Sequence, residues 1–253
     1  MLFDSTKVSS SKVLEYYSKS SVLEHYTEAT EKVGLWNSEK IVFQKSLKDK
    51  SQRILELGCG TGRISFGLAK LGYANLVCSD FSRKMVTRAK ELNQRFGTGI
   101  KFEKQDATNL SYAEQTFSGI IFGFNGLMQI PERKNRLKVM SECLRVLKSN
   151  SYFIFTAHDR SLQKWKKFWV EERKKWRSGK QDPKLLEFGD RFEETSRGML
   201  YIHVPDVDQV RSDLIASGFL VEGDFLRSKV AAESELTQKY SDECRFWICR
   251  KPA

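Results

Sequence analysis

The chain has 253 residues, 40% of them hydrophobic and 30% charged, a globular composition long enough for one full α/β domain. No stretch approaches the roughly 18 uninterrupted apolar residues of a membrane span, and MLFDSTKVSSSK at the start lacks the apolar centre of a signal peptide. A soluble, cytoplasmic protein without a membrane partner is therefore expected. The net charge of +11 is concentrated between residues 51 and 200 rather than in a tail, a pattern that suits a solvated face, anionic metabolites or nucleic acid.

The first fifty residues read as helical, with Tyr16, Tyr17 and Tyr26 and no strong strand. From residue 51 short apolar runs alternate with helical periodicity. RILELGCG (53–60) begins as a strand and closes in glycines, and ISFGLAKLG (64–72) reads as a helix ended by Gly72. ANLVCSD (74–80) is a second strand. Ser82 is the expected N-cap of a helix over 83–96, with Met85, Val86, Ala89 and Leu92 on one face. Strands over 100–106, 118–125 and 151–158 follow, with an amphipathic helix over 133–148 whose expected apolar stripe is Leu137, Met140, Leu144 and Leu147. This alternation predicts an α/β fold with an open, doubly wound, mostly parallel sheet.

Residues 159–200 are too long for an ordinary connection and carry KWKKFWVEERKKWRSGK (164–180), a basic aromatic helix. Its Trp165, Phe168, Trp169 and Trp176 share one stripe, interrupted by Glu172. A helix over 206–218 and strands over 219–228 and 243–251 would complete the sheet. The five cysteines (59, 78, 143, 244 and 249) form no CxxC pair, and the three histidines (25, 158 and 203) are far apart. Neither a disulfide framework nor a metal site is expected.

The chemistry concentrates at Glu56-Leu57-Gly58-Cys59-Gly60-Thr61-Gly62, where a strand meets a helix. Glycines there permit a tight turn and close approach of a ligand to backbone N–H groups. The GxGxG spacing differs from the dinucleotide fingerprint, in which the helix N-terminus must receive a pyrophosphate. Asp80 ends the second strand, where its carboxylate would accept both hydroxyls of a ribose. Asp106 ends the third and would accept from an adenine amino group. Three strand ends thus converge on a nucleoside-shaped site.

ILELGCGTGR, CSDFSRKMVTRAK and FEKQDATNL resemble the first three cofactor motifs of class I S-adenosylmethionine-dependent methyltransferases, and LRVLKSNSYFIFTAHD resembles the fifth-strand region, with Ser149-Asn150-Ser151 in place of a frequent glycine pair. The resemblance covers roughly residues 50–158. It implies a seven-stranded sheet with an antiparallel last strand, here with an N-terminal helical cap and an inserted helical lid. The whole chain would be a single methyltransferase domain, 1–253, divided into a cap (1–50), a cofactor-binding core (51–158), the lid (159–205) and the C-terminal end of the sheet (206–253).

The cofactor implied is S-adenosyl-L-methionine. By resemblance, Glu56 lies near the methionine amino group, Gly58, Gly60 and Gly62 shape the facing turn, and Asp80 binds the ribose. Phe81 and Met85 pack along the adenine, Asp106 and Ala107 meet its edge, and Phe124 and Asn125 face the methionine portion and the acceptor. Tyr17, with Tyr16 and Tyr26, would close over the cofactor, the alternative being simple packing onto the sheet edge. Tyr16, His158, Trp165 and Trp169 are candidates for the acceptor side, with His158 as candidate base. The aromatic helix is expected to pack on the domain as a lid with its lysines and arginines in water, the alternatives being a pocket for a cationic amine with Glu172 as counter-charge or a basic aromatic face for single-stranded RNA.

Methyl transfer from a sulfonium needs alignment and desolvation more than covalent help, so the chemistry requires no conspicuous catalytic residue. The fourth strand runs into Gly123-Phe124-Asn125-Gly126, without the Asn/Asp-Pro-Pro-aromatic element used on planar exocyclic amines and without a Pro-Cys pair. The expectation is transfer to N or O of a small molecule. The alternatives are an RNA or protein methyltransferase, or a non-catalytic module that binds S-adenosylmethionine or S-adenosylhomocysteine.

Overall fold

A computed structural model of the chain describes residues 7–253. The cap consists of α1 (Ser10–Tyr17), α2 (Ser20–Glu28), a π-helical turn (Ala29–Val33) and α3 (Asn37–Ser46). The core follows as β1 (Arg53–Leu57), α4 (Arg63–Lys70), β2 (Asn75–Asp80), α5 (Arg83–Phe96), β3 (Lys101–Lys104), β4 (Phe117–Phe122), α6 (Arg133–Val146) and β5 (Leu147–Ala157). The insertion carries α7 (Lys166–Arg177) and the strands β6 (Asp190–Thr195) and β7 (Gly198–His203). Then come α8 (Val207–Ala216), β8 (Leu220–Leu226), α9 (Glu235–Tyr240) and β9 (Arg245–Arg250).

Seven strands form one sheet in the order β3-β2-β1-β4-β5-β9-β8, and β6 and β7 form a separate hairpin. Only β9 runs against its neighbours in the large sheet, pairing antiparallel with both β5 and β8. Helices on both faces explain why the central strands are nearly all apolar. Successive strand residues point to opposite faces. Leu55, Leu57, Phe153 and Phe155 therefore pack with α6, α8 and Trp169, whereas Ile54, Ile121 and Ile154 pack with α3, α4 and α5. Glu56 shares the face of Ile54 and so points toward α4.

The expected start of α5 is present: Ser82 Oγ accepts the Met85 N–H, and Met85, Val86, Ala89 and Leu92 are all buried. On α6 the stripe is rotated from the expected one. Its buried residues are Arg136, Val139, Met140, Cys143 and Val146, while Leu137 and Leu144 are only partly buried and Leu147 already belongs to β5. The small Cys143 and β-branched valines allow closer approach to the flat sheet than a row of leucines does.

The insertion is not purely helical, because the β6–β7 hairpin had no counterpart in the sequence reading. Its strands pair with each other instead of joining the main sheet, with only Asp190 in β6 and Tyr201, Ile202 and His203 in β7 buried. Asp190 anchors the hairpin from within: Tyr201 Oη donates to its Oδ1 at 2.8 Å, and His203 Nδ1 lies 2.8 Å from the same oxygen. The backbone N–H groups of Leu186 and Glu187 donate to Oδ2. The insertion also touches the cap, through Val8 N–H to Lys184 O at 2.9 Å and Lys19 Nζ to Arg197 O at 3.1 Å. No helix among the described residues is long and apolar enough to cross a membrane.

Candidate active site

The carboxyl ends of β1, β2 and β3 and the residues after β4 open into a cavity of about 290 Å³, covered by α1, α2, the π turn and Tyr240 of α9. Its floor is the glycine turn. Gly58 has φ +60°, and a Cβ there would stand 2.6 Å from the Phe122 ring. Gly60 has φ +55° and faces the cavity, where an added Cβ would meet only Tyr26 Cδ1 at 3.6 Å and fill the cradle. Gly62 does not line the cavity; with φ +99° it serves as the N-cap of α4.

Asp80 is positioned by two backbone donors, Gly60 N–H to Oδ2 at 2.9 Å and Ser82 N–H to Oδ1 at 2.7 Å. Burial pushes its carboxyl above the ordinary range, and the two backbone donors partly offset this. A carboxylate has about four acceptor positions, so about two remain for a diol. Asp106 accepts the Thr108 N–H and hydroxyl on Oδ1 alone. Glu56, 3% exposed, is pushed up to about 8 by burial, against the opposing hydrogen bond from the Ser65 hydroxyl and the attraction of Arg63. On the short helical turn after β4, Gln129 Oε1 is buried and has no hydrogen-bond partner among the described residues.

Eleven of the candidate site residues singled out in the sequence line this cavity: Tyr17, Tyr26, Glu56, Gly58, Gly60, Asp80, Phe81, Met85, Asp106, Ala107 and Phe124. The others are placed elsewhere. Phe124 and Asn125 both take left-handed backbone angles, φ +50° and +59°, a strain that costs on the order of 1–3 kcal/mol at each non-glycine residue. That turn sends Phe124 into the cavity and Asn125 away from it, its Nδ2 lying 3.2 Å from His158 Nε2. His158 Nδ1 lies 3.1 Å from Glu243 O, so both ring nitrogens are engaged in structural contacts outside the cavity. Tyr16 is buried against the insertion, its hydroxyl 3.3 Å from Thr195 Oγ1.

The aromatic helix contributes no cavity wall. Trp169 is buried in the core with its ring 5.8 Å from Phe188, and Trp165 lies under the Arg191 guanidinium. Glu172 pairs with Lys175 at 2.6 Å, so it is no counter-charge for a bound amine.

Arg63 and Trp36, both wall residues, escaped the sequence reading. Arg63 makes a double ion pair with fully buried Glu39, at 2.6 and 2.7 Å, and donates to Gly34 O at 2.8 Å. Its guanidinium lies 4.7 Å from the Trp36 ring and 5.6 Å from Phe124. Glu39 also accepts the Trp36 N–H at 2.9 Å. A glutamate three residues after a helix start is a known capping signal, but its second partner lies 24 residues away and only the fold reveals it. Tyr26 lies edge-on to Phe124 at 6.0 Å, and Tyr17 lies 5.9 Å from Tyr26. Burial raises both phenols, Tyr26 to about 12, so both stay neutral donors.

Free acceptor positions on Asp80 and Asp106, an open glycine cradle, buried Glu56 and the orphaned Gln129 carbonyl fit one group: an adenosine carrying an amino-acid tail. Comparison with known proteins agrees. Residues 54–150 match the family model described as "Methyltransferase domain". Among curated relatives, the ubiquinone/menaquinone biosynthesis C-methyltransferase UbiE of Desulfotalea psychrophila is 34% identical over 112 residues, 43% of this chain and 42% of that protein. The chain spans less than half the length of the curated relatives it matches.

Two solved structures share the fold. A SAM-dependent methyltransferase of Methanosarcina mazei has a TM-score of 0.68 at 18% identity, covering 87% of this chain and 99% of its own. The magnesium protoporphyrin IX methyltransferase of Synechocystis, solved with bound SAH, has 0.62 at 15%, covering 95% and 99%. Residues 54–150 thus match a methyltransferase domain, and the chain is similar in fold to S-adenosylmethionine-dependent methyltransferases. The donor set fits S-adenosylmethionine, the cofactor that this likeness implies.

Proposed function

We propose that this chain transfers a methyl group from S-adenosylmethionine to a nitrogen or oxygen of a small molecule. The observation that carries this reading is the roof of the cavity. Helices α1 and α2, the π turn and Tyr240 cover the strand ends, and aromatic edges close in around Phe124. A roofed cavity suits an acceptor that enters whole more than a polymer strand. The exposed basic residues of α7 lie on the insertion, outside the cavity walls.

When bound, S-adenosylmethionine supplies an electrophilic methyl group on a sulfonium leaving group. Asp80 and Asp106 hold the nucleoside end by charge-assisted acceptance. Glu56 is a buried acceptor whose carboxyl would ionise against an ammonium group, because a cation nearby favours the charged form. Met85 and Phe81 supply apolar surface at the nucleoside end, and Tyr17, Tyr26, Trp36 and Phe124 exclude water where acceptor and donor meet. The acceptor aligns between these rings, which is the positional contribution that methyl transfer needs most.

The test uses methyl-labelled S-adenosylmethionine, the purified protein and a cell extract fractionated by size and nuclease sensitivity. Label in the small-molecule fraction is expected. Label in nuclease-sensitive material or in protein would replace the small acceptor with a macromolecule, and cofactor binding with no transfer to any fraction would indicate a binding module.

A further inference from the structure

The cavity has two ends of unlike chemistry. Glu56, Asp80 and Asp106, the carboxylates that line it, all stand at strand ends on the cofactor side. The opposite end, formed by the cap and α9, presents His25, Tyr26, Trp36 and Tyr240, with no carboxylate among its lining residues. Arg63 lies in that wall with its charge neutralised by Glu39. Such an end offers an ammonium acceptor no unpaired carboxylate, and its rings suit a neutral, planar one.

His25 has the free atoms that this end otherwise lacks. Its ring stacks on Tyr240 at 4.9 Å with 16° between planes and meets Tyr26 edge-on at 5.8 Å. Neither ring nitrogen has a hydrogen-bond partner among the described residues. His158 and His203, by contrast, hold structural contacts. We propose that His25 is the general base of methyl transfer to a planar aromatic hydroxyl compound, resting on the reading that this chain is a small-molecule methyltransferase.

A ring nitrogen of His25 takes the acceptor's hydroxyl proton, and the O–H electron pair becomes the attacking pair on oxygen. The O–CH3 bond forms as the S–CH3 bond breaks, and sulfur keeps that pair as a neutral thioether. The imidazolium then returns its proton to solvent.

The surroundings of His25 keep the imidazole neutral. Burial and the Arg197 guanidinium on the β6–β7 turn lower its pKa from the ordinary value, and Glu28 on α2 partly opposes them. Glu28 is itself engaged by Lys32 at 2.7 Å and by the Tyr240 hydroxyl. Tyr26, the other titratable neighbour on α2, stays protonated.

The experiment uses 7-hydroxycoumarin as probe phenol and benzylamine as probe amine, with calorimetry of S-adenosylmethionine binding run alongside. The wild type is expected to label the phenol and not the amine. Its rate should rise with pH through the His25 pKa and then level. His25→Asn should lower phenol methylation by about 100-fold, the usual scale for a general base, lose that rise and keep cofactor affinity.

A readout independent of turnover comes from the three histidine ring signals in the protein saturated with S-adenosylhomocysteine. Adding 7-hydroxycoumarin should shift the His25 resonance and leave His158 and His203 in place. This measurement on the wild type decides the matter even where His25→Asn does not fold. Methylation of benzylamine instead of the phenol, a His25→Asn loss under threefold, or cofactor binding without any His25 shift or phenol labelling would overturn the proposal and leave the methyltransferase reading standing. Absence of cofactor binding would instead overturn that reading.

Discussion

The two ends of the cavity are built by different means. At the cofactor end each functional side chain sits within a few residues of the strand that aims it: Glu56 in β1, Asp80 at the end of β2, Asp106 two residues past β3. At the cap end His25, Trp36, Arg63 and Tyr240 come from four segments spread over more than 200 residues and meet through ring contacts, a buried ion pair and hydrogen bonds between segments. The first end is a local property of strand–turn–helix units. The second depends on how the cap docks, so it should tolerate substitution differently.

The largest expected effects test that docking. Glu39→Ala strands the Arg63 guanidinium in a buried wall, and a loss of about 3–5 kcal/mol in urea unfolding is expected. A loss under about 1 kcal/mol would mean that the cap is held by its aromatic contacts instead. Trp169→Ala empties a core position and should cost a similar ~3–5 kcal/mol while leaving acceptor affinity unchanged in the folded protein. A raised KM at unchanged stability would return the aromatic helix to the acceptor site.

Next comes the cofactor end itself. Asp80→Ala should weaken S-adenosylmethionine binding by on the order of 1.5–3 kcal/mol, the usual scale for hydrogen bonds to charged groups. Unchanged affinity in calorimetry of the folded variant would remove the ribose assignment.

Glu56 gives a smaller effect with a definite sign. Its carboxyl is raised to about 8 in the folded chain, above the ordinary 4.5. Between those values the folded state holds the proton and the unfolded state releases it. Stability contributed by the neutral group is therefore complete below pH 4.5 and is lost as pH rises toward 8, by at most ~1.4 kcal/mol per unit. Glu56→Gln carries no such proton, so its Tm relative to wild type should climb between pH 5 and pH 8. A constant difference across that range would place an ionised glutamate there. The smallest effect is expected for His158→Asn, whose cofactor affinity should stay within about 0.5 kcal/mol of wild type; a larger shift would bring Asn125 and its turn back into the site.

His158 and His25 show where the sequence was informative and where it was not. His158 follows a legible strand on the correct side of the sheet, which made it the visible candidate. The fold spends both its nitrogens on Asn125 and Glu243. His25 sits in a helix with no motif around it, and only its stacking on a residue 215 positions later marks it. The hairpin of β6 and β7 was illegible for a related reason: its strands show no alternation of buried and exposed positions.

What the sequence determined by itself was the alternation of strand and helix, the glycine turn with Asp80 and Asp106 beyond it, and the capped start of α5. These depend on short-range periodicity, backbone freedom and residues that act where their own strand ends. The tertiary structure alone decided which face α6 buries, which residues Trp169 packs against, that Glu39 neutralises Arg63, and which histidine faces the cavity. Those outcomes depend on contacts between segments far apart in the chain, and a contact's partner is fixed only when packing brings the two surfaces together.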